Sequence, residues 1–170
     1  MNKIMTDLTT NINFLQPTSF KLVIDRRNYP NLEFFCQSVS HPGVSIGGAE
    51  LPFRNVSAIP FPGDKFVFSE LNVNIILDED MNAYLEVFNW LKRVVEEPNK
   101  VATDRNSNDI PSFSDLTLNI LSSHNNVTKK IRYIDAIPSA LGNIELESTS
   151  GGTEFLTCPV SFRFSYFEVL

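Results

Sequence analysis

A chain of 170 residues, 42% hydrophobic and 20% charged, is long enough to bury one sizeable core and too apolar to be disordered throughout. Its formal net charge of -6 removes the electrostatic reason to coat nucleic acid, although DNA could pass such a surface without sticking. No apolar run approaches the roughly 18–20 residues of a membrane helix, and Met1 to Phe20 lacks the apolar stretch and small-residue cleavage site of a signal peptide.

Residues 1–16 are polar and rich in Asn and Thr, which predicts an N-terminal arm ahead of a single domain over 17–170. Pro17 sets up a first strand, Phe20 to Asp25, in which Phe20, Leu22 and Ile24 recur with the strand period of two. Arg26 to Asn31 reads as a turn. A second strand is expected from Leu32 to Ser40. Phe34 and Phe35 are adjacent and point opposite ways, so Phe35 needs cover from the chain itself or from a partner. Cys36 and Cys158 both sit in apolar strand patterns and read as reduced, buried thiols. A disulfide stays open if their strands pair.

His41 to Lys65 differs in kind. Four prolines and four glycines exclude it from the centre of a sheet. Yet Val44, Ile46, Leu51, Phe53, Val56, Ile59 and Phe61 run through it, and a long loop that apolar must cover something. It reads either as a flap over the chain's own core or as an arm docked on another subunit. Pro62-Gly63-Asp64 is expected to be a turn. Phe66 to Leu77 then resumes strand.

Asp78-Glu79-Asp80 could suggest a metal. The calcium-loop pattern fails, however, with Ala83 in place of the glycine and Asn89 in place of the bidentate Glu, and carboxylates are expected where a helix begins. The helix itself is predicted over Asp80 to Glu97. Met81, Tyr84, Phe88, Leu91 and Val95 form one stripe, and Val87, Trp90 and Val94 form a second beside it. So broad an apolar surface asks for cover on two sides, one from the chain's own strands and the other from a loop or a neighbouring subunit. Pro98 ends the helix, and Asn99 to Ser114 is a polar loop.

Leu116 to Leu121 and Val127 to Ile137 read as strands joined by a hairpin turn at Ser122 to Asn126. In the second strand Val127, Ile131, Tyr133 and Ile137 share a face. Lys129, Lys130 and Arg132 form a small basic patch that reads as a solvated outer face. Pro138 to Gly142 and Ser148 to Thr153 are turns around a short strand, Ile144 to Glu147. A last strand runs from Glu154 nearly to the C-terminus, with Cys158, Val160, Phe162, Phe164 and Tyr166 on one face. The whole predicts a mainly β fold: an antiparallel sandwich or barrel with one flanking helix.

Little chemistry is visible. His41 and His124 have no second ligand at metal spacing, and no nucleophile elbow, phosphate loop or Cys-x-x-Cys occurs. Cys36 and His41 are five apart at a strand end, which gives no support to a nucleophile–base pair. No catalytic, metal or cofactor residue is expected, and the balance shifts from an enzyme toward a structural or interaction protein.

Several segments together resemble the tail tube proteins of contractile-tailed bacteriophages, over about residues 14–169. These are Phe14-Leu15-Gln16-Pro17, the strand from Phe34 through His41-Pro42-Gly43-Val44, Pro62-Gly63-Asp64, the helix centre Phe88-Asn89-Trp90-Leu91, and the ending from Ile131 through Pro138-Ser139, Ile144-Glu145-Leu146 and Phe155 to Glu168. The resemblance implies a small β-barrel or sandwich whose copies close into hexameric rings. The rings would stack into a hollow tube that carries the genome. It implies partners: other copies of the chain, a tail sheath protein, baseplate and tail-terminator proteins, and DNA passing through the lumen without specific binding. It also implies a place in the virion tail after synthesis in the host bacterial cytoplasm. Baseplate proteins that initiate the tube and type VI secretion tube subunits share the fold. A tube-initiating or tail-end protein is therefore the alternative within the class, and a monomeric β-barrel that binds a small apolar ligand is the alternative outside it. On either tail reading the expected subunit interface is Val44, Ile46, Leu51, Phe53, Val56, Ile59 and Phe61, with Phe35 and the helix residues Val87, Trp90 and Val94.

Overall fold

The computed structural model describes residues 14–25, 27–34, 36–53, 56–96, 111–147 and 155–170, without the side chains of 33–34, 49–53, 56–61 and 96. The expected arm over 1–16 and the polar loop over 99–114 lie mostly outside these residues. Among the described residues nine strands and two helices follow in order: β1 Phe20–Val23, α1 Pro30–Phe34, β2 Cys36–Ser40, β3 Val44–Phe53, β4 Val56–Phe68, β5 Leu71–Ile76, α2 Asn82–Glu96, β6 Ser114–Leu121, β7 Val127–Leu141, β8 Thr157–Arg163 and β9 Tyr166–Val169. Every strand pairing is antiparallel. Seven of these strands form one sheet, β1-β6-β7-β8-β5-β2 with β9 also on β7, while β3 and β4 pair, among the described residues, only with each other. The expected mainly β, antiparallel class is the observed one.

The large path bends at β7. Its first half pairs β6 and β9, and its second half pairs β8. The corner lies at Asp135, which has φ 53°. There the register against β6 slips, because four residues of β7, Tyr133 to Ala136, lie opposite three of β6, Leu116 to Ser114. One extra residue inverts the alternation: Ile131 and Tyr133 are buried before it, and Ala136 and Pro138 after it. The Ser165 N–H donates to the Ile134 carbonyl at 3.0 Å where β8 gives way to β9, so both chains turn together. The turn expected at Pro138 to Gly142 is therefore largely strand. The long strand expected from Glu154 is divided in two, and Ile144 to Glu147 is not a strand.

Leu71, Val73 and Ile75 of β5 and Cys158, Val160 and Phe162 of β8 point into the core. They meet Leu116, Leu118, Ile131 and Tyr133 from the other half of the path and Ala83, Val87 and Trp90 from α2 in one cluster. Trp90 stacks on Tyr29 with centroids 4.3 Å apart and lies 5.7 Å from the Phe162 ring. Its indole N–H donates to the Ser112 carbonyl at 2.7 Å, so the buried donor is satisfied.

Two local departures have clear causes. Residues 30–34, expected as the start of a strand, form helix α1. Pro30 occupies its first position, where no N–H is needed. The Glu86 carboxylate of α2 accepts from the Leu32 N–H at 3.0 Å and the Asn31 side-chain amide at 2.7 Å, which caps that helix from 54 residues away. The acidic triplet serves the start of α2. The Asp78 carboxylate accepts from the Asn82 side chain at 2.8 Å and the Ala83 N–H at 3.4 Å. Slight desolvation opposes these bonds but does not outweigh them, and the Asp78 carboxyl is held below the usual range.

The two cysteines are both free. Cys36 and Cys158 lie opposite Ile75 from its two sides. Two strand spacings, about 10 Å, separate their backbones, well beyond disulfide reach.

Candidate assembly interface

Residues 41–65, expected as a loop, are mostly a two-stranded ribbon. Strand β3 pairs β4 from Val44↔Phe68 to Phe53↔Val56, with register shifts between Ile46 and Gly48 and between Leu51 and Phe53. Pro62-Gly63-Asp64 lies inside β4 rather than at a turn. Prolines are tolerated because a two-stranded ribbon leaves one edge of each strand without a partner, where the missing N–H costs no bond. Gly63 is required where β4 passes the shift, since a Cβ there would collide with the Gly47 carbonyl.

An aromatic cluster fixes the base of the ribbon to the corner of the sandwich. Phe68 lies 5.7 Å from Phe164 and 5.4 Å from Phe167, and Tyr133 packs edge-on against both. His41, in the link from β2, packs its ring against Phe167 and bonds the Tyr133 hydroxyl through Nδ1 at 2.7 Å. The Ser69 N–H donates to the Gly43 carbonyl at 3.0 Å and closes the neck. Desolvation lowers the pKa of His41 and raises that of the Tyr133 hydroxyl.

Above this base the described part of the ribbon, residues 43–48 and 64–67, is exposed. Val44, Ile46 and Phe66 lie on one face by register, and Val67 on the other. All are exposed, Phe66 by 68% and Ile46 by 56%. An isolated two-stranded ribbon is marginal in water, and large apolar groups on it call for cover. Leu51, Phe53, Val56, Ile59 and Phe61 continue along the same strands, with Leu51 opposite Ile59 and Phe53 opposite Val56. Their side chains and residue Phe35 lie outside the described residues.

The helix residues expected at the interface require correction. Val87 and Trp90 are fully buried in the chain's own core, and Val94 is partly buried against it. The other stripe is divided: Phe88 and Val95 of α2 and Met81 just before it are exposed, as is Leu85 beside them, while Tyr84 and Leu91 pack partly buried against the core. Leu85, Phe66 and Val67 are apolar surface residues that sequence reasoning did not single out. The alternation of Phe66, Val67 and Phe68 after a Gly-Asp pair was the available signal. Among the described residues β1 and β2 end the path and β9 has one neighbour, so each shows one strand edge without a partner there.

Among the described residues no three His, Cys, Asp or Glu side chains come together as a metal site, and no helix is long and apolar enough to cross a membrane. What this surface offers is an apolar ribbon, an apolar helix stripe and unpaired strand edges, all suited to protein–protein contact.

A family model described as "Phage tail tube protein" matches residues 5–170. The chain belongs to the phage tail tube protein family. This tail tube family member is 25% identical over 141 residues to the tail tube terminator protein of Enterobacteria phage T4, covering 78% of the chain and 75% of that protein. Its fold matches a chain in the cryo-EM structure of the anti-feeding prophage cap, described as a tube terminating cap, with a TM-score of 0.65, 13% identity and 99% of both chains covered. It also matches a chain of the sheath–tube complex of an extracellular contractile injection system, with a TM-score of 0.63, 13% identity and 94% and 93% covered. The resemblance read from the sequence is thus to the right family, and the protein is a structural component of a phage tail.

Proposed function

We propose that this tail tube family member is the terminator of a contractile phage tail: a ring-forming subunit that closes one end of the tube instead of repeating along it. The observation that carries the reading is the sequence similarity to the T4 tail tube terminator across most of both proteins. The full-length fold match to a tube-terminating cap accords with it. Ring closure uses the free edges of β1, β2 and β9, because a closed ring of identical subunits consumes edges that would otherwise invite aggregation. The β3–β4 ribbon reaches a neighbouring copy or the last ring of the tube, where Val44, Ile46 and Phe66 lose their water. Ribbon residues Leu51, Phe53, Val56, Ile59 and Phe61 extend that contact. The sheath protein and baseplate belong to the same assembly, DNA passes through the lumen, and the protein performs no catalysis.

A second reading, the repeating tube subunit, is favoured by the family's own description and by the fold match to the sheath–tube complex. Copy number separates the two. Quantitative mass spectrometry of purified virions should find the protein at one ring per tail. A copy number that scales with the sheath protein would show a repeating subunit. Against the ligand-binding alternative stand the β3–β4 ribbon, which among the described residues pairs only with itself, and the burial of Trp90, Tyr133 and Phe162 in the core.

A further inference from the structure

We infer that neighbouring copies join head to tail through the two ends of β7: the basic, apolar end where β7 begins beside β9 docks into the acidic, apolar groove that follows Leu141 in the next copy. This rests on the ring reading above and adds to it which two surfaces touch.

Beyond Leu141 the chain leaves the sheet but stays close to the segment that leads into β8. The Gly142 N–H donates to the Pro159 carbonyl at 2.7 Å, and the Leu77 N–H donates to the Leu156 carbonyl at 2.9 Å. Residues within 143–147 and 155–157 line a groove of about 550 Å³. Leu146, Phe155 and Leu156 on its walls are all exposed, Leu146 by 79%. Glu145 and Glu147 make it acidic. Three large apolar groups gathered in one groove call for cover.

The other end of β7 is also apolar but carries the opposite charge. Val127 is exposed there, as are Val169 and Leu170. Lys130 and Leu170 exchange backbone hydrogen bonds at 2.9 and 2.7 Å, which sets Leu170 beside the lysines at the unpartnered edge of β9. Arg132, two residues on, is already matched, since it bonds Asp115 and lies opposite Glu168. Among the described residues no acid pairs with Lys129 or Lys130, and no base pairs with Glu145.

Neither patch suits a copy of itself. A two-fold contact would set acid against acid or lysine against lysine, and like charges facing each other across an interface are costly. Groove against strand end matches both charges and covers both apolar sets. The two patches occupy different ends of one strand, so the contact is heterologous. Such contacts generate a ring when the rotation closes.

The test uses the full chain, with assembly followed by electron microscopy and analytical ultracentrifugation. Glu145→Lys gives a copy with lysine in the groove and lysines at the strand end. Lys129→Glu combined with Lys130→Glu gives a copy acidic in both places. Each should melt like the unsubstituted protein and lose its rings. Mixed in equal amounts they should form rings again, because every groove then meets an end of opposite charge. Leu146→Asp, at a side chain that the monomer leaves in water, should abolish rings without changing the melting. Rings that survive Glu145→Lys or Leu146→Asp overturn the inference and leave the ring reading standing. Failure of the two charge variants to restore each other also overturns it. If the unsubstituted protein forms no rings, the ring reading falls and this inference falls with it.

Discussion

Gly63 and His41 show how single residues hold the ribbon to the rest of the molecule. At Gly63 even a methyl group would strike the Gly47 backbone, so Gly63→Ala must push β3 and β4 apart. The expected outcome is lost assembly by analytical ultracentrifugation with the melting of the sandwich little changed, because β3 and β4 pair with no strand of the larger sheet. His41 gives a pH dependence whose sign follows from its environment. Burial lowers its folded pKa below the ordinary 6.5, so the unfolded state takes up a proton first as pH falls. The stability it contributes is complete above about 6.5 and is lost as pH drops through the folded value. Protonation also puts a proton on Nδ1, so the Tyr133 hydroxyl, kept protonated by burial, must accept in that bond. Hydrogen exchange at Ser69, whose N–H closes the neck, should accelerate on mild acidification relative to its intrinsic rate, and His41→Gln should remove that extra acceleration. Trp90 belongs to the core instead. Trp90→Ala should cost about 3–5 kcal/mol in chemical denaturation, the usual range for truncating a buried aromatic.

At the scale of elements, the helix was legible nearly to its ends, but its orientation was not. Both stripes of α2 are apolar, and periodicity alone does not say which one the molecule keeps. The choice was made by Tyr29 and Phe162, which receive Trp90 from elements distant in sequence. The same limit hid α1, because its cap, Glu86, lies on another helix. Strands β1 and β6 were readable because one face of each is buried, so the period of two survives; the strand expected from Phe66 to Leu77 is divided at Ser69 and Glu70 between the end of β4 and β5. Strand β7 was readable only as far as Asp135, where one extra residue inverts the pattern. The prolines of 41–65 argued correctly against a sheet centre, but a ribbon with outward edges was the structural answer they permitted. The apolar interface character expected for Val44 and Ile46 remains a proposal, and one substitution examines it: Phe66→Asp should leave the monomer's thermal melting unchanged while dissociating any assembly seen by light scattering. Unchanged assembly would show that the ribbon's exposed face makes no contact.

For the whole molecule, the exposed apolar residues of the ribbon, those on the helix and the strand edges are the surfaces that the proposed ring would cover with copies of the same chain. The family and much of the β architecture could be read from sequence, because the segments that carry the resemblance are spread along the chain. Whether the protein repeats along a tube or ends one could not, since a chain of a sheath–tube complex and a chain of a terminating cap both share this fold. Electron microscopy of intact tails decorated with antibodies against this chain bears on that difference directly. A terminator gives label confined to one end of each tail. Label spread along the whole length of tubes stripped of their sheath would contradict the account and make the protein a repeating tube subunit.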